Sequence, residues 1–144
     1  MAQHFPCYSA VIPLLLRQRG GRQEILLHRR HNTGYMDGQW DIAGSGHVEG
    51  NETAREALAR ECAEELAIQV NVGAQFWQEY HEYPDMLIRL TLFHCRVDSG
   101  IPQALEHNDL KWIHPSQIGD FEFCPADRDI LKEIQRVYEN REPL

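Results

Sequence analysis

Three glutamates that lie close together in the chain, Glu61, Glu64 and Glu65, are the residues whose type and spacing best suit chemistry. Positions three and four apart share a helix face, so in a helix these carboxylates would cluster. Clustered like charges repel, and a part-buried carboxylate is costly unless a positive charge compensates it. Arg60 can reach Glu64 by an i,i+4 pair, and a hard cation such as Mg²⁺, which prefers oxygen ligands, could supply the remaining charge. The alternative is an ordinary solvated acidic helix face, and spacing alone does not decide between them.

A helix predicted from Thr53 to Leu66 must position these carboxylates. Thr53 followed by Glu56 has the spacing of a capping box, which marks the helix start. On a helical wheel turned about 100° per residue, Glu65 falls at the edge of an apolar stripe, with Glu61 beside it. The stripe recurs every four residues, at Ala54, Leu58, Cys62 and Leu66. The helix therefore directs carboxylates toward the side on which it would bury itself.

The stretch GHVEGNETAREALARECAEELAI, residues 46–68, resembles the signature motif of the Nudix family. That motif, the Nudix box, is a glycine, five residues, a glutamate, seven residues and then REUxEExGU, where U is aliphatic. Gly46 and Glu52 fill the first two fixed positions, and RECAEELAI follows. Cys62 is only weakly aliphatic, and Ala67 replaces the last glycine. Neither position carries the chemistry, but a left-handed helix end, which glycine prefers, is less comfortable at Ala67.

The resemblance implies both a fold and a reaction. Strands, a helix, further strands and a last helix would form an α/β/α sandwich around a mixed β-sheet. Hydrolysis would depend on Mg²⁺, with Mn²⁺ as a substitute, and would cleave a pyrophosphate linkage in a nucleoside diphosphate derivative. The simplest substrate is a nucleoside triphosphate, which would give the monophosphate and pyrophosphate. Family members often dimerise, so the resemblance also allows a homodimer.

The resemblance also assigns roles around the metal. Glu61, Glu64 and Glu65 would bind it, together with a backbone carbonyl that falls on Ser45 or Gly44. In the MutT-like branch, a glutamate six residues before a tryptophan lies close to the metal, and here Glu106 precedes Trp112 by that distance.

Glu106 would be a further metal ligand or the base that deprotonates water, unless it is a solvated loop carboxylate. The sequence leaves the choice of base open between Glu65 and Glu106. Glu52 and Arg60 would orient the site rather than react.

Several residues are candidates for substrate binding. Arg29 and Arg30 end an apolar strand, where a guanidinium could bind a phosphate, as an arginine does there in similar proteins, or could simply be solvated. His47, in the loop of the box, could contact phosphate or stay exposed. In MutT-like nucleotide hydrolases, Pro-Ala-Asn or Pro-Ala-Asp before the last helix lies in the base pocket. Asp127 could therefore contact a nucleobase, although a helix N-cap is the slightly preferred interpretation.

Length and composition limit the class of protein. A chain of 144 residues favours a single domain over residues 1–144. The formal net charge of −8 argues against general nucleic-acid binding but not against a small phosphorylated ligand. No apolar run approaches membrane-spanning length, and the N-terminus lacks the pattern of a signal peptide. The scattered cysteines indicate reduced, mostly packed thiols in a cytoplasmic protein. They are Cys7, Cys62, Cys95 and Cys124.

The other predicted elements frame the box helix. Pro13 interrupts the first apolar run, which favours an edge position, a bulge or a break there. Arg19–Arg22 is typical of a hairpin turn, and Pro84-Asp85 of another turn. The expected strands are Tyr8–Leu16, Glu24–Arg30, Gln39–Ala43, Ile68–Tyr80, Met86–Val97 and Leu110–Ile113. An amphipathic helix is expected at Asp127–Tyr138, with Ile130, Leu131, Ile134 and Val137 facing inward.

Two alternative functions are kept open. The segment WDIAGSGHVE also resembles isopentenyl-diphosphate isomerases, which share the fold but usually lack the complete box. Some family relatives sense nucleotides without cleaving them, and the usual sequence sign is loss of box carboxylates. None is missing here, so hydrolysis is favoured over both alternatives.

Overall fold

The computed structural model describes residues 7–31, 34, 36–105 and 109–138. Its strands are β1 (Cys7–Arg19), β2 (Arg22–Arg29), β3 (Trp40–Ile42), β4 (Gly46–His47), β5 (Gln69–Tyr83), β6 (Met86–Ser99) and β7 (Asp109–Ile113). Its α-helices are α1 (Ala54–Leu66) and α2 (Arg128–Tyr138). Two 3-10 turns, Pro115–Asp120 and Pro125–Asp127, lead into α2. Among the described residues, no helix has the length and apolar character needed to cross a membrane.

The strands form one mixed sheet in the order β3-β2-β1-β6-β5, with β4 added to β1 and β7 added to β2. The β1–β6 pair is parallel, whereas the other pairs of named strands are antiparallel. Helices pack against two separate apolar clusters on this sheet. The predicted α/β architecture with a mixed sheet between helices is confirmed.

Pro13 lies in a central strand, so the expectation of an edge position is wrong. β1 pairs with β6 from Cys7 to Leu15, and this ladder includes Pro13. On its other side, β1 pairs with β4 only as far as Val11 and with β2 only from Leu16. Pro13 therefore stands in the gap between two partner strands, where a missing backbone N–H interrupts neither of those two ladders.

The predicted turns are confirmed by strand pairing. Arg19 pairs with Arg22, and Gly20 and Gly21 between them have φ of 59° and 75°. Two consecutive positive φ values suit a two-residue hairpin turn, which matches the twist of the strands. Tyr83 pairs with Met86 at the second turn, so β5 extends further toward the turn than the predicted Ile68–Tyr80, whereas β6 begins at Met86 as predicted.

The start of α1 follows from its sequence, whereas its end adopts a conformation that is disfavoured for alanine. Thr53 Oγ1 accepts from the Glu56 amide at 3.1 Å, and Glu56 Oε1 accepts from the Thr53 amide at 3.0 Å. This is the predicted capping box. At the other end, Ala67 has φ 57° and ψ 36°, and its N–H donates to the Ala63 carbonyl. The left-handed helix end that the Nudix pattern gives to glycine is thus kept, although the residue here is alanine.

Candidate active site

Arg60 lies at the centre of the hydrogen bonds around the box. Its Nε and Nη2 donate to the two carboxylate oxygens of Glu52 at 2.8 and 3.0 Å. Its Nη1 donates to Glu61 Oε1 at 2.9 Å and to Glu64 Oε2 at 3.3 Å, so the predicted i,i+4 contact is present. Its Nη2 also donates to the His47 carbonyl at 2.9 Å. One guanidinium thus joins the loop before α1 to the carboxylates on it.

These contacts shift the ionisation of both partners. The hydrogen bonds that Arg60 donates to Glu52 raise the pKa of Arg60 above its ordinary value. The hydrogen bond from Arg60, followed by the Glu49 amide, lowers the pKa of Glu52. Each charged form is stabilised by the other, so both groups are ionised across the physiological range.

At Gly46, the Glu61 side chain occupies the space that a Cβ would take, so Glu61 can lie there only while this position has no side chain. A Cβ at Gly46 would lie 2.0 Å from Glu61 Cδ, far inside any van der Waals contact. Two residues earlier, Gly44 has φ 90°, and a Cβ there would lie 2.8 Å from Pro13 Cγ. The loop therefore passes directly over α1 and β1, with part-buried Ser45 between the two glycines.

The three predicted carboxylates differ in exposure along α1. The Glu61 side chain is 12% exposed and that of Glu64 is 57% exposed, while Glu65 Oε2 is buried. Burial is the main cause that raises the pKa of the Cys62 thiol, and the charges of Glu65 and Glu61 add to it. Cys62 therefore stays a protonated thiol next to these carboxylates.

This arrangement fits a divalent cation. Glu52, Glu61 and Glu64 all bond to the single guanidinium of Arg60, and Glu65 adds a further carboxylate on the same helix. Negative charge therefore exceeds positive charge at this face. The donors are carboxylate oxygens, which are the ligands that Mg²⁺ and Mn²⁺ accept.

The predicted phosphate-binding residues lie at the end of β2 and in the loop before α1. Arg29 donates to the Gly38 carbonyl at 3.2 Å, and its Nη1 lies 3.5 Å from Asp109 Oδ2. Arg30 Nη1 lies 3.5 Å from Asp41 Oδ2. His47 is exposed, and its carbonyl rather than its ring bonds to Arg60. Glu106, the second candidate base, lies outside the described residues.

A second group of polar side chains, Asp41, Cys124 and Asp127, lies together near the start of α2. One ligand atom from each residue lies within 4.8 Å of the others. Asp127 is 6% exposed, and burial, with the neighbouring Asp41 carboxylate, raises its pKa. Hydrogen bonds from His28 and Asp127 outweigh burial and lower the pKa of Asp41. The pair thus favours one ionised and one protonated carboxyl group.

Sequence reasoning singled out only Asp127 of this group. Asp41 lies on β3 next to Ile42, and the strand pairing of β3 with β2 brings it opposite His28. Trp40 also forms a bridge with Phe123, which brings Cys124 to the end of β3. These are tertiary contacts between distant parts of the chain. The one local indication in the sequence was that Asp41 is a charged residue within the otherwise apolar segment WDIA.

Comparison with known proteins agrees with this geometry. The NUDIX domain model matches residues 14–133. The CTP pyrophosphohydrolase of Escherichia coli is 36% identical over 120 residues, which cover 83% of this chain and 87% of that protein. The 8-oxo-dGTP diphosphatase of E. coli is 26% identical, over 83% of this chain and 92% of that protein.

A solved structure extends the agreement to the whole fold. The solution structure of the E. coli ORF135 protein has a TM-score of 0.78 and 30% identity, and covers 95% of this chain and 94% of that one. The predicted relationship is therefore confirmed, and the chain belongs to the Nudix family as a MutT-like pyrophosphohydrolase.

Proposed function

We propose that the chain hydrolyses a nucleoside triphosphate to the monophosphate and pyrophosphate, with Mg²⁺ as the activating ion and Mn²⁺ as a substitute. The observation that carries this proposal is the set of carboxylates on α1, gathered around Arg60 and packed against Gly46. The names of the relatives support the class of substrate, since one relative is a CTP pyrophosphohydrolase and another an 8-oxo-dGTP diphosphatase.

Glu61, Glu64 and Glu65 would hold the ion, with a backbone carbonyl from Ser45 or Gly44. When bound, a divalent ion offsets the charge that grows on phosphate oxygens and lowers the pKa of a bound water. Arg60 and Glu52 keep the carboxylates in one orientation. Glu65 or Glu106 would take the proton of the attacking water.

The substrate would be held on both sides of the reacting phosphates. Arg29 and Arg30 lie at the end of β2, where they form ion pairs with Asp109 and Asp41 respectively. Phosphate oxygens of the substrate could replace these aspartates as partners of the two guanidinium groups. His47 is exposed and could add a further contact. Asp127 is the candidate for base recognition, because a buried carboxyl with a raised pKa can donate as well as accept a hydrogen bond.

The two alternative functions receive less support. The relatives reported above are named as hydrolases of diphosphate bonds, and none of these names describes an isomerase. A sensor would not need the complete set of carboxylates that Arg60 gathers here. A cytoplasmic location and a homodimer stay predictions from sequence.

A turnover screen tests the proposal. Ribo- and deoxynucleoside triphosphates, 8-oxo-dGTP, nucleotide sugars and dinucleoside polyphosphates would be incubated with Mg²⁺, and pyrophosphate and phosphate would be measured separately. We expect pyrophosphate from a triphosphate, lost in Glu64→Gln and Glu65→Gln. Glu133→Gln is the matched control, because Glu133 is also a helical glutamate paired with an arginine, Arg136, but lies on α2. Full metal-dependent turnover in both box variants would refute the assignment.

A further inference from the structure

The side of the sheet that α2 covers continues beyond the helix as an open surface. In a sheet, directly paired residues point to the same side, and side chains alternate along each strand. Ile12 of β1 pairs with Leu92 of β6, which pairs with Trp77 of β5, and this row packs in the α2 cluster. The next rows toward the β5–β6 turn lie on the same side. They are Ala10, Leu90 and Glu79, then Tyr8, Ile88 and His81, and finally Met86 and Tyr83.

The outer two rows are only partly covered, although most of their side chains are apolar or aromatic. Tyr8 is 50% exposed and Tyr83 is 48% exposed, whereas Met86 and Ile88 between them are half-buried. We call these four residues the shelf. A flat surface of aromatic and aliphatic side chains suits the face of a planar ring, which gains both buried area and stacking there.

One carboxylate lies at the inner border of the shelf. The Glu79 side chain is 16% exposed, and its Oε1 lies 3.2 Å from His81 Nε2. Its other oxygen, Oε2, makes no hydrogen bond within the described part of the chain and is not fully buried. An ionised carboxylate only accepts hydrogen bonds. A ligand on the shelf could therefore donate one to Glu79 Oε2.

The charge of Glu79 also reaches the start of α2. Burial and the Asp41 carboxyl are the main causes that raise the pKa of Asp127, and the Glu79 charge adds to them. Glu79 and Asp127 are thus close enough to interact. The inner border of the shelf therefore adjoins the residue that is already the candidate for base recognition.

A row of paired residues joins the shelf to the loop of the box. Ala10 of β1 pairs with Leu90 on one side and with His47 of β4 on the other. Leu90 pairs in turn with Glu79. Neighbouring strands lie about 4.8 Å apart, so the row from His47 to Glu79 spans about 14 Å. A nucleotide can lie along such a row, with its phosphates near His47 and its base near Glu79.

We infer that the shelf holds the nucleobase of the substrate and that Glu79 selects a base with an exocyclic amino group. Glu79 Oε2 accepts from that amino group, as glutamate does from the N4 amino group of cytosine. A base with a carbonyl oxygen at the same place brings two acceptors together and gives Glu79 no donor. The inference rests on the proposed hydrolysis of a nucleoside triphosphate and narrows its substrate class.

Matched pairs of nucleotides test this selectivity. The pairs are CTP and UTP, ATP and ITP, and GTP and ITP, and in each pair only the first member carries the amino group. For the base that is turned over best, we expect kcat/KM to be about 10- to 100-fold higher for the member with the amino group, the range for a hydrogen bond to a charged group. A best substrate without an amino group would overturn the inference.

Glutamate variants locate the selecting residue. Glu79→Gln should bring the two kcat/KM values of a pair together, because an amide can donate to a carbonyl oxygen as well as accept from an amino group. Glu82→Gln is the matched control, because Glu82 is an exposed glutamate of the same strand that points to the opposite side of the sheet. A preference that survives in Glu79→Gln, or that is lost equally in Glu82→Gln, would contradict the role of Glu79.

Tyrosine variants test the shelf itself. Tyr8→Ala should raise KM for both members of a pair by about 5-fold or more, because a stacking partner of the base is lost. Tyr80→Ala is the control, because Tyr80 is 57% exposed but pairs with Arg89 on the other side of the sheet. An unchanged KM in Tyr8→Ala would place the base elsewhere. Far-ultraviolet circular dichroism checks that each variant is folded.

Binding of nucleoside monophosphates separates failure of this inference from failure of the proposed hydrolysis. Calorimetric titration of the wild-type protein with CMP and UMP, AMP and IMP, or GMP and IMP needs no turnover and no variant. Tighter binding of the member with the amino group would support the base site even if no triphosphate were cleaved. Cleavage of triphosphates with no preference for an amino group in any pair would refute the inference and leave the hydrolysis standing.

Discussion

At the scale of single residues, Arg60 explains why several carboxylates can stand together on α1. Its planar guanidinium bonds two oxygens of Glu52 and, with another nitrogen, reaches Glu61 and Glu64. A lysine has the same charge but offers a single ammonium, which cannot occupy these directions together. The geometry of the Arg60 guanidinium, more than its charge, therefore sets the orientation of the carboxylates.

Arg60→Lys should consequently reduce activity while leaving the fold intact. We expect kcat to fall by about 10- to 100-fold, the range seen when groups that orient metal ligands are changed. The Mg²⁺ concentration needed for half-maximal activity should rise. Arg55→Lys is the control, because Arg55 is on the same helix but donates to the Val72 carbonyl. Equal losses in both variants would mean that the effect comes from α1 as a whole.

Gly46 offers a second test of how the carboxylates are held. In Gly46→Ala the new Cβ would lie 2.0 Å from Glu61 Cδ, so the Glu61 carboxylate must move. We expect a larger loss in metal affinity and kcat than in thermal stability. Gly119→Ala is the control, because a Cβ there meets nothing within 4 Å. Wild-type metal affinity in Gly46→Ala would show that the position of Glu61 does not matter.

The sequence could predict the box residues because they lie on one helix. Glu61, Glu64 and Arg60 are neighbours by helical periodicity alone, and the structure shows the expected contact between Arg60 and Glu64. The contact between Asp41 and Asp127 could not be found in this way. It depends on the bridge between Trp40, at the start of β3, and Phe123. No local sequence pattern predicts a contact between residues so far apart in the chain.

At the scale of elements, the end of α1 shows a position where the chain carries strain. Ala67 is in the left-handed region, with φ 57°, where a side chain with a Cβ is disfavoured by roughly 1–2 kcal/mol. Its carbonyl also lies near Gly100, where a Cβ would come within 2.8 Å of it. The helix must end here so that Ile68 can enter the core, where it is 2% exposed.

Ala67→Gly should therefore stabilise the protein. We expect the free energy of unfolding to rise by about 1 kcal/mol, after allowing for the greater freedom of glycine in the unfolded chain. Ala63→Gly, one turn earlier in the exposed part of α1, should instead lower it by about 1 kcal/mol. Urea unfolding of both variants measures the two changes. A loss of stability in Ala67→Gly would contradict the strain at this position.

Element boundaries also show what the sequence could not supply. The alternation in the segment after α1 correctly predicted a strand, but its length was set by the partner strand. β5 continues to Tyr83 because β6 pairs with it as far as Met86. Similarly, Pro13 suggested an edge position, a bulge or a break, and only the sheet order shows that its strand is central and that the partner strands leave a gap at Pro13.

At the scale of the whole molecule, one strand joins the two apolar clusters. Ile12, Leu14 and Leu16 of β1 belong to the cluster that α2 covers. Val11 and Leu15 of the same strand belong to the cluster that α1 covers. Neighbouring side chains on β1 thus point into different clusters, as the period of a strand requires. Loss of β1 would expose both clusters together, which argues for one cooperative unit.

We therefore expect a single unfolding transition that is shared by both clusters. Leu58→Ala, on α1, and Ile134→Ala, on α2, each remove a fully buried side chain. Each should lower the free energy of unfolding by about 2–5 kcal/mol, which is a large part of the roughly 5–15 kcal/mol typical of a domain. Ile101→Ala is the exposed control, because Ile101 is 81% exposed, and it should change stability little.

Two probes decide whether the transition is shared. Trp112 packs against the α1 cluster, whereas Trp40 and Trp77 pack against the α2 cluster. Fluorescence of variants that keep Trp112 alone, or Trp77 alone, would be compared with far-ultraviolet circular dichroism during urea unfolding. Coincident curves, shifted together by Leu58→Ala and by Ile134→Ala, are expected. If Leu58→Ala shifted only the Trp112 signal, the α1 side that carries the box would unfold separately, and residues 1–144 would not form one cooperative domain.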